Sequence, residues 1–306
     1  MKYNNTYLPN NNEKIYPNVM TTKEVGFGAT RLPIKPFKIN EMVDHCTIAM
    51  IAKRATGKSF LTREIMYQKK NIAAAIAISR TEKLNSFYSE FIPDSYIYSE
   101  YDSSILTRIY ERQSKMNDDN KKKIRDGKKE KNDSVMLIMD DCMSSKGTWL
   151  KDPNILELFF NGRHHHLSFI LTMQYSIGIP PEMRSNFDYI FLLAEDTISN
   201  RKRLYEHYAG MFPTFDIFQQ VFTDITENYG IMVINNRVHS KNLTDKVFWY
   251  RAKTVPTFKI GCNKFHKYHD KAYDKDWNKR LDVFNPSDLV SKRKNTVRVL
   301  VEKVKY

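Results

Sequence analysis

Cysteine is scarce in this chain: Cys46, Cys142 and Cys262 are the three among 306 residues. Their odd number and wide separation exclude a disulfide framework and fit a reducing compartment. Long apolar runs are missing as well. The longest, from Asn71 to Ser79, is Ala-rich and falls well short of the roughly 18 residues a spanning helix needs, so no membrane span is expected. The first residues, MKYNNTYLPNNNEKIYP, have no apolar stretch behind their lysine, which predicts no secretory signal and an intracellular protein. No G-x-S-x-G occurs, which leaves serine-nucleophile chemistry unsupported.

Acidic residues are in deficit too: 49 Lys and Arg stand against 35 Asp and Glu, a net charge of +14. That excess favours a polyanionic partner such as DNA or RNA without choosing between them. At 41% apolar content the chain can bury the core of one large domain or two small ones.

What is present is an alternation of short apolar runs with helical stretches. Residues 1–40 are polar, Asn-rich and punctuated by Pro33 and Pro36, and read as an extended N-terminal arm. There follow CTIAMIA (46–52), a helix from Lys58, IAAAIAIS (72–79), YIYS (96–99), a helix from about Ser103 to Met116, VMLIMD (135–140), a helix over 153–162, LSFILT (167–172) and YIFLLA (189–194). Such alternation predicts an α/β fold with a mainly parallel central sheet flanked by helices. The runs lack polar alternation, as strands covered on both faces do. Residues 117–133 read as a charged surface loop and 197–228 as helical, while YGIMVIN (229–235) and VFWYRA (247–252) read as further strands at the sheet edge. The core then spans 41–255. Residues 256–306 read as a basic C-terminal extension, in which Lys292, Arg293, Lys294 and Arg298 are candidates, with the insert Lys121 to Lys131, for holding phosphates.

The sharpest motif is Ala52-Lys53-Arg54-Ala55-Thr56-Gly57-Lys58-Ser59, placed after an apolar strand and before a helical pattern that opens with Phe60. It has the spacing of the phosphate-binding loop G-x-x-x-x-G-K-[ST], with Ala52 in place of the first glycine, which is tolerable if that residue keeps a negative φ. In such a loop the backbone N–H groups of Lys53 to Phe60 cradle the phosphates of ATP, Lys58 reaches the β and γ oxygens, and Ser59 ligates Mg²⁺. VMLIMD then delivers Asp140 to the metal and places Asp141 to orient the attacking water as general base. LSFILTMQY ends in Gln174, an amide able to bond the γ-phosphate or the lytic water. Arg163, in the run NGRHHH after a helix stop, is a candidate arginine finger acting across a subunit boundary; Arg184, Arg201 and Arg203 compete for that role.

These elements together, AKRATGKS, VMLIMDD and FFNGRHHHLSFILTMQY, resemble the genome-packaging ATPases of nucleocytoplasmic large DNA viruses and virophages, within the FtsK-HerA superfamily of P-loop NTPases. The resemblance covers about residues 45–195. It implies a RecA-like core in a ring, with a hexamer favoured, that threads double-stranded DNA into a capsid, with capsid or portal-vertex proteins as further partners. It also implies a place in the host cytoplasm, at the viral factory, or in the virion. Two departures stand out: Ala52, and Asp141 where many relatives carry Glu.

Other features carry less. Three consecutive histidines, 164–166, cannot all face one metal, and Cys262, His266 and His269 lack a clear fourth ligand for zinc. The competing functions are a non-catalytic assembly or adaptor protein that binds nucleotide and DNA, and a nucleotide kinase, which needs an Arg-rich lid rather than an Asp-Asp and Gln strand pair.

Overall fold

A computed structural model describes residues 31–175 and 178–274. Its centre is one nine-stranded sheet in the order β1-β9-β8-β7-β2-β6-β5-β3-β4. The strands are β1 (Lys35–Pro36), β2 (Thr47–Ile51), β3 (Ala74–Ser79), β4 (Ile97–Tyr98), β5 (Val135–Asp140), β6 (Leu167–Met173), β7 (Tyr189–Leu192), β8 (Gly230–Asn235) and β9 (Val247–Arg251). Only β8 runs against the others, so the sheet is mainly parallel, as the alternation predicts. Every residue of β2, β5, β6 and β7 is buried. Helices cover both faces, which is why these strands read as unbroken apolar runs.

Among the described residues six longer helices flank the sheet: α1 (Lys58–Gln68), α2 (Ser103–Arg125), α3 (Pro153–Asn161), α4 (Ile198–Tyr208), α5 (Phe215–Thr226) and α6 (Asn263–Ala272). Their starts follow local chemistry. The Asp102 carboxylate accepts from the Ser104 N–H at 2.8 Å at the head of α2, and Asp152 accepts from the Asn154 N–H at 2.8 Å at the head of α3, where Pro153 supplies the first-turn φ. The hydroxyl of Thr214 does the same for α5.

The described residues bear on three expectations about organisation. The charged stretch 117–133 is not a loop throughout, because α2 continues to Arg125. Its inner face there is polar: Gln113 donates to the carbonyls of Asp133 and His165, and buried Asn120 exchanges two hydrogen bonds with the backbone of Lys131. A helix tied down by amides shows no apolar period. Of the expected arm, residues 1–30 lie outside the described residues, and 35–39 join the core. Lys35–Pro36 pairs in parallel with β9, and Phe37 and Ile39 are buried, the Phe37 ring lying edge-on to Tyr189, Phe191, Phe248 and Tyr250. On the other side, residues 256–272 pack onto the core. Phe258 stacks on Phe91, the N–H groups of Ile260 and Cys262 bond to the carbonyls of Phe91 and Ala73, and Phe265 stacks on Tyr96. The basic tail residues Lys292, Arg293, Lys294 and Arg298 lie outside the described residues. Among those described, no helix is long and apolar enough to cross a membrane.

Candidate nucleotide site

The parallel strands all end on one edge of the sheet, where ligands of open α/β folds sit. Met50 of β2, Thr172 of β6, Asp140 of β5 and Ser79 of β3 stand side by side there, in register across four adjacent strands. Beyond them β2 runs into the loop 52–57. Ala52 is buried, bonds through its N–H to the Met173 carbonyl at 2.9 Å, and is not among the residues with positive φ, so the missing first glycine is not needed. The left-handed positions fall instead at Ala55 (φ 62°) and Gly57 (φ 99°). Alternating hand turns successive N–H groups to one side and forms an anion-holding concavity at the start of α1. Thr56 closes the loop by donating to the Lys53 carbonyl at 2.7 Å.

Lys58 donates to Asp140 Oδ1 at 2.9 Å, the two side chains being 22% and 13% exposed. Thr172, fully buried, ties this pair together: its hydroxyl donates to Asp140 Oδ1 at 2.5 Å and accepts from the Asp141 N–H at 3.2 Å and from Lys58 Nζ at 3.5 Å. One donor and two acceptor sites are thereby used, the whole capacity of a hydroxyl. The phenol of buried Tyr88 is pushed well above the usual range, first by burial and then by the Asp140 charge. Asp141 sits in a left-handed conformation (φ 54°, ψ 35°), and Gln174 donates from Nε2 to its Oδ2 at 2.5 Å. A non-glycine residue held at positive φ is a strained position of the kind that gathers at functional sites.

Lys53 through Phe60 line one cavity of about 870 Å³ together with Gln174. Lys53 pairs with Asp196 at 2.8 Å on the surface. The far wall was not foreseen: it consists of Asn228, Tyr229, Ile231, Arg251 and Ala252 from the ends of β8 and β9. Glu64 fixes that wall to the phosphate-loop helix. It is 2% exposed, and its carboxylate accepts from the Tyr250 hydroxyl at 2.6 Å and from the Lys253 N–H at 2.8 Å. A charged residue three positions after Leu61, on the buried side of α1, is the one signal that pointed here.

Arg163 is not brought to this cavity. It follows α3 and precedes β6, and so lies at the amino edge of the parallel strands, opposite the phosphate loop. There it pairs with buried Asp188 at 3.2 Å, a carboxylate that also takes Arg237 at 3.1 Å and the Thr47 N–H at 2.9 Å. The neighbouring histidines have acidic partners that sequence distance concealed: His165 with Glu157 at 2.9 Å and His166 with Asp133 at 2.8 Å. His166 also stacks on His45. His266 bonds to the Ile260 carbonyl and His269 to the Ser95 hydroxyl. No group of three or more His, Cys, Asp or Glu side chains that could hold a metal ion occurs among the described residues.

Fold and site together define a P-loop protein of the mainly parallel α/β class. No protein-family model matches the chain. The chain is 42% identical over 247 residues to "Uncharacterized protein L437" of Acanthamoeba polyphaga mimivirus, covering 81% of this chain and 86% of that protein. It is 37% identical to "Uncharacterized protein 088R" of Invertebrate iridescent virus 3, covering 73% and 84% of the two chains. It is 30% identical to "Uncharacterized protein 075L" of Invertebrate iridescent virus 6, covering 80% and 96%. The chain belongs to the family of viral proteins that these three represent. Among solved structures it is similar to the DNA-packaging ATPase B204 from Sulfolobus turreted icosahedral virus, at 16% identity and a TM-score of 0.47, over 70% of this chain and 100% of that one.

Proposed function

We propose that the chain is an ATP-hydrolysing translocase that moves double-stranded DNA and packages a viral genome into its capsid. The observation that carries the hydrolytic part is the Lys58–Asp140 pair bridged by Thr172, with Asp141 and Gln174 beside it at the same sheet edge. Hard oxygen donors and a left-handed phosphate loop fit a nucleotide with Mg²⁺. Ser59 and Asp140 would hold the Mg²⁺, whose charge screens the phosphate oxygens when it is bound. The N–H groups after Ala52 hold the phosphates, Lys58 turns from Asp140 toward their oxygens, and Asp141, oriented by Gln174, takes the proton of the attacking water. Arg163 can reach a nucleotide only across a subunit boundary, in trans.

The DNA substrate, the hexameric ring, the capsid partner and the place at the viral factory rest on the packaging-ATPase resemblance of the motifs. The viral relatives and the net charge of +14 support it. The test is ATP turnover with and without duplex DNA for the wild type, Lys58→Ala and Asp141→Asn. Duplex is expected to stimulate the wild type, and both variants should lose on the order of a hundredfold or more. Turnover that ignores duplex removes the motor reading, and turnover that survives Lys58→Ala removes the site.

A further inference from the structure

The phosphate loop fills only one side of its cavity. The other side is a turn, Asn228–Tyr229, in which two successive non-glycine residues hold positive φ, 50° and 62°. Asparagine adopts that conformation readily, but for tyrosine it is an outlier with no backbone advantage. The turn is held from behind. A Cβ on Gly230 would lie 1.9 Å from the Ile225 carbonyl oxygen, so the chain enters β8 by one close path, and Gly230 is then paired with Arg251 of β9. The consequence is that Tyr229 stands 68% exposed in the wall of a concave site. It also stands beside the phosphate loop, with its Cδ1 3.8 Å from where a Cβ on Gly57 would be.

We infer that this half of the cavity is a nucleobase subsite in which Tyr229 is the stacking platform, and that the ligand class is a purine nucleotide. The inference rests on the nucleotide-site reading above and extends it to the base. A large aromatic face left uncovered beside a phosphate cradle is matched by a ligand that carries a flat π-system a short distance from its phosphates. Stacking depends on ring area more than on base-edge hydrogen bonds, so purines bind ahead of pyrimidines and adenine is only modestly separated from guanine. Ile231 adds apolar wall and Arg251 a cationic one.

The experiment is calorimetric titration of the full chain with ADP and, separately, with inorganic tripolyphosphate, for the wild type, Tyr229→Ala, Tyr229→Leu, Tyr229→Phe and Lys58→Ala. Tyr229→Ala and Tyr229→Leu are expected to weaken ADP roughly ten- to a hundredfold, the worth of one stacked base. Tripolyphosphate should stay close to its wild-type affinity in both, and Tyr229→Phe should bind both ligands like the wild type. Undiminished ADP binding by the Ala and Leu variants overturns the subsite. Equal weakening of ADP and tripolyphosphate also overturns it, since Tyr229 then only shapes the loop. Failure of the underlying site looks different: the wild type binds neither ligand, or Lys58→Ala binds both as well as the wild type does.

Discussion

Glu64 offers a quantitative test of how the cavity is held together. Its buried carboxylate takes one hydrogen bond from the Tyr250 hydroxyl and one from the Lys253 N–H. Glu64→Ala leaves the phenol without its acceptor, at about 1–3 kcal/mol, and removes apolar stem atoms at about 0.8 kcal/mol per methylene, for a total near 3 kcal/mol. The Lys253 N–H adds little, because that residue is exposed and water can replace the carboxylate. Glu64→Gln keeps an acceptor for Lys253, and its amide can donate to the phenol oxygen, so only charge assistance is lost, about 1 kcal/mol. Tyr250→Phe should cost about 2 kcal/mol, and the double variant should show a coupling energy of about 1.5 kcal/mol or more. Urea unfolding of the wild type and the four variants measures these values. Nucleotide affinity should fall with them, because Arg251 and Ala252 lie between the two anchored residues and line the cavity. Additivity of Glu64→Ala and Tyr250→Phe within about 0.5 kcal/mol would refute the argument.

Further expectations follow from the same geometry. Thr172→Val keeps shape but leaves the Asp141 N–H and Asp140 short of a partner, so turnover should fall at least tenfold with about 1–2 kcal/mol lost in unfolding assays; unchanged turnover would remove Thr172 from the site. Gly57→Ala meets no atom closer than 3.8 Å and suffers only its φ of 99°, about 1–2 kcal/mol, whereas Gly230→Ala drives a Cβ to 1.9 Å from a carbonyl oxygen. Thermal melts should therefore rank Gly230→Ala as clearly the more damaging. The His45 imidazole is held below its usual pKa, first by burial and then by the facing His166. The unfolded chain thus binds the extra proton more readily, so stability is fully present above about pH 6.5 and is lost as pH falls through the lower folded value. Melting temperature against pH should show that loss, and His45→Asn, which tolerates the left-handed φ of 55°, should reduce it.

How far the molecule could be read from its sequence depends on whether the signal was local. Apolar runs without alternation identified β2, β5, β6 and β7, because double-sided burial is written into consecutive side chains. That the loop 52–57, Asp140 and Gln174 share one sheet edge was legible because each is set by its distance from a strand end. Tyr229 and Arg251 were not: they reach the cavity through β8 and β9, and nothing within those strands records that β8 runs antiparallel and turns their ends toward the loop. The second half of α2 escaped for a different reason. Its buried residues there are amides bonded to a returning backbone, and a polar inner face leaves no hydrophobic period to detect.

Strand direction confines Arg163 to a trans role, and that role can be tested. Its place before β6 puts it at the amino edge, so within its own chain it cannot reach the cavity at the carboxyl edge. Its removal should be mild for folding, because its side chain is 61% exposed and Asp188 keeps Arg237 and the Thr47 N–H. Arg163→Ala should therefore cost no more than about 1 kcal/mol. That small structural effect makes a mixing experiment informative. If Arg163 acts across a subunit boundary, Arg163→Ala and Lys58→Ala subunits, each inactive alone, should regain turnover when mixed, since an intact loop can then face an intact Arg163 of a neighbour. Mixtures that regain no turnover would reject the finger and leave Arg201 and Arg203 of α4, which begins after the carboxyl end of β7, as the arginines to test next.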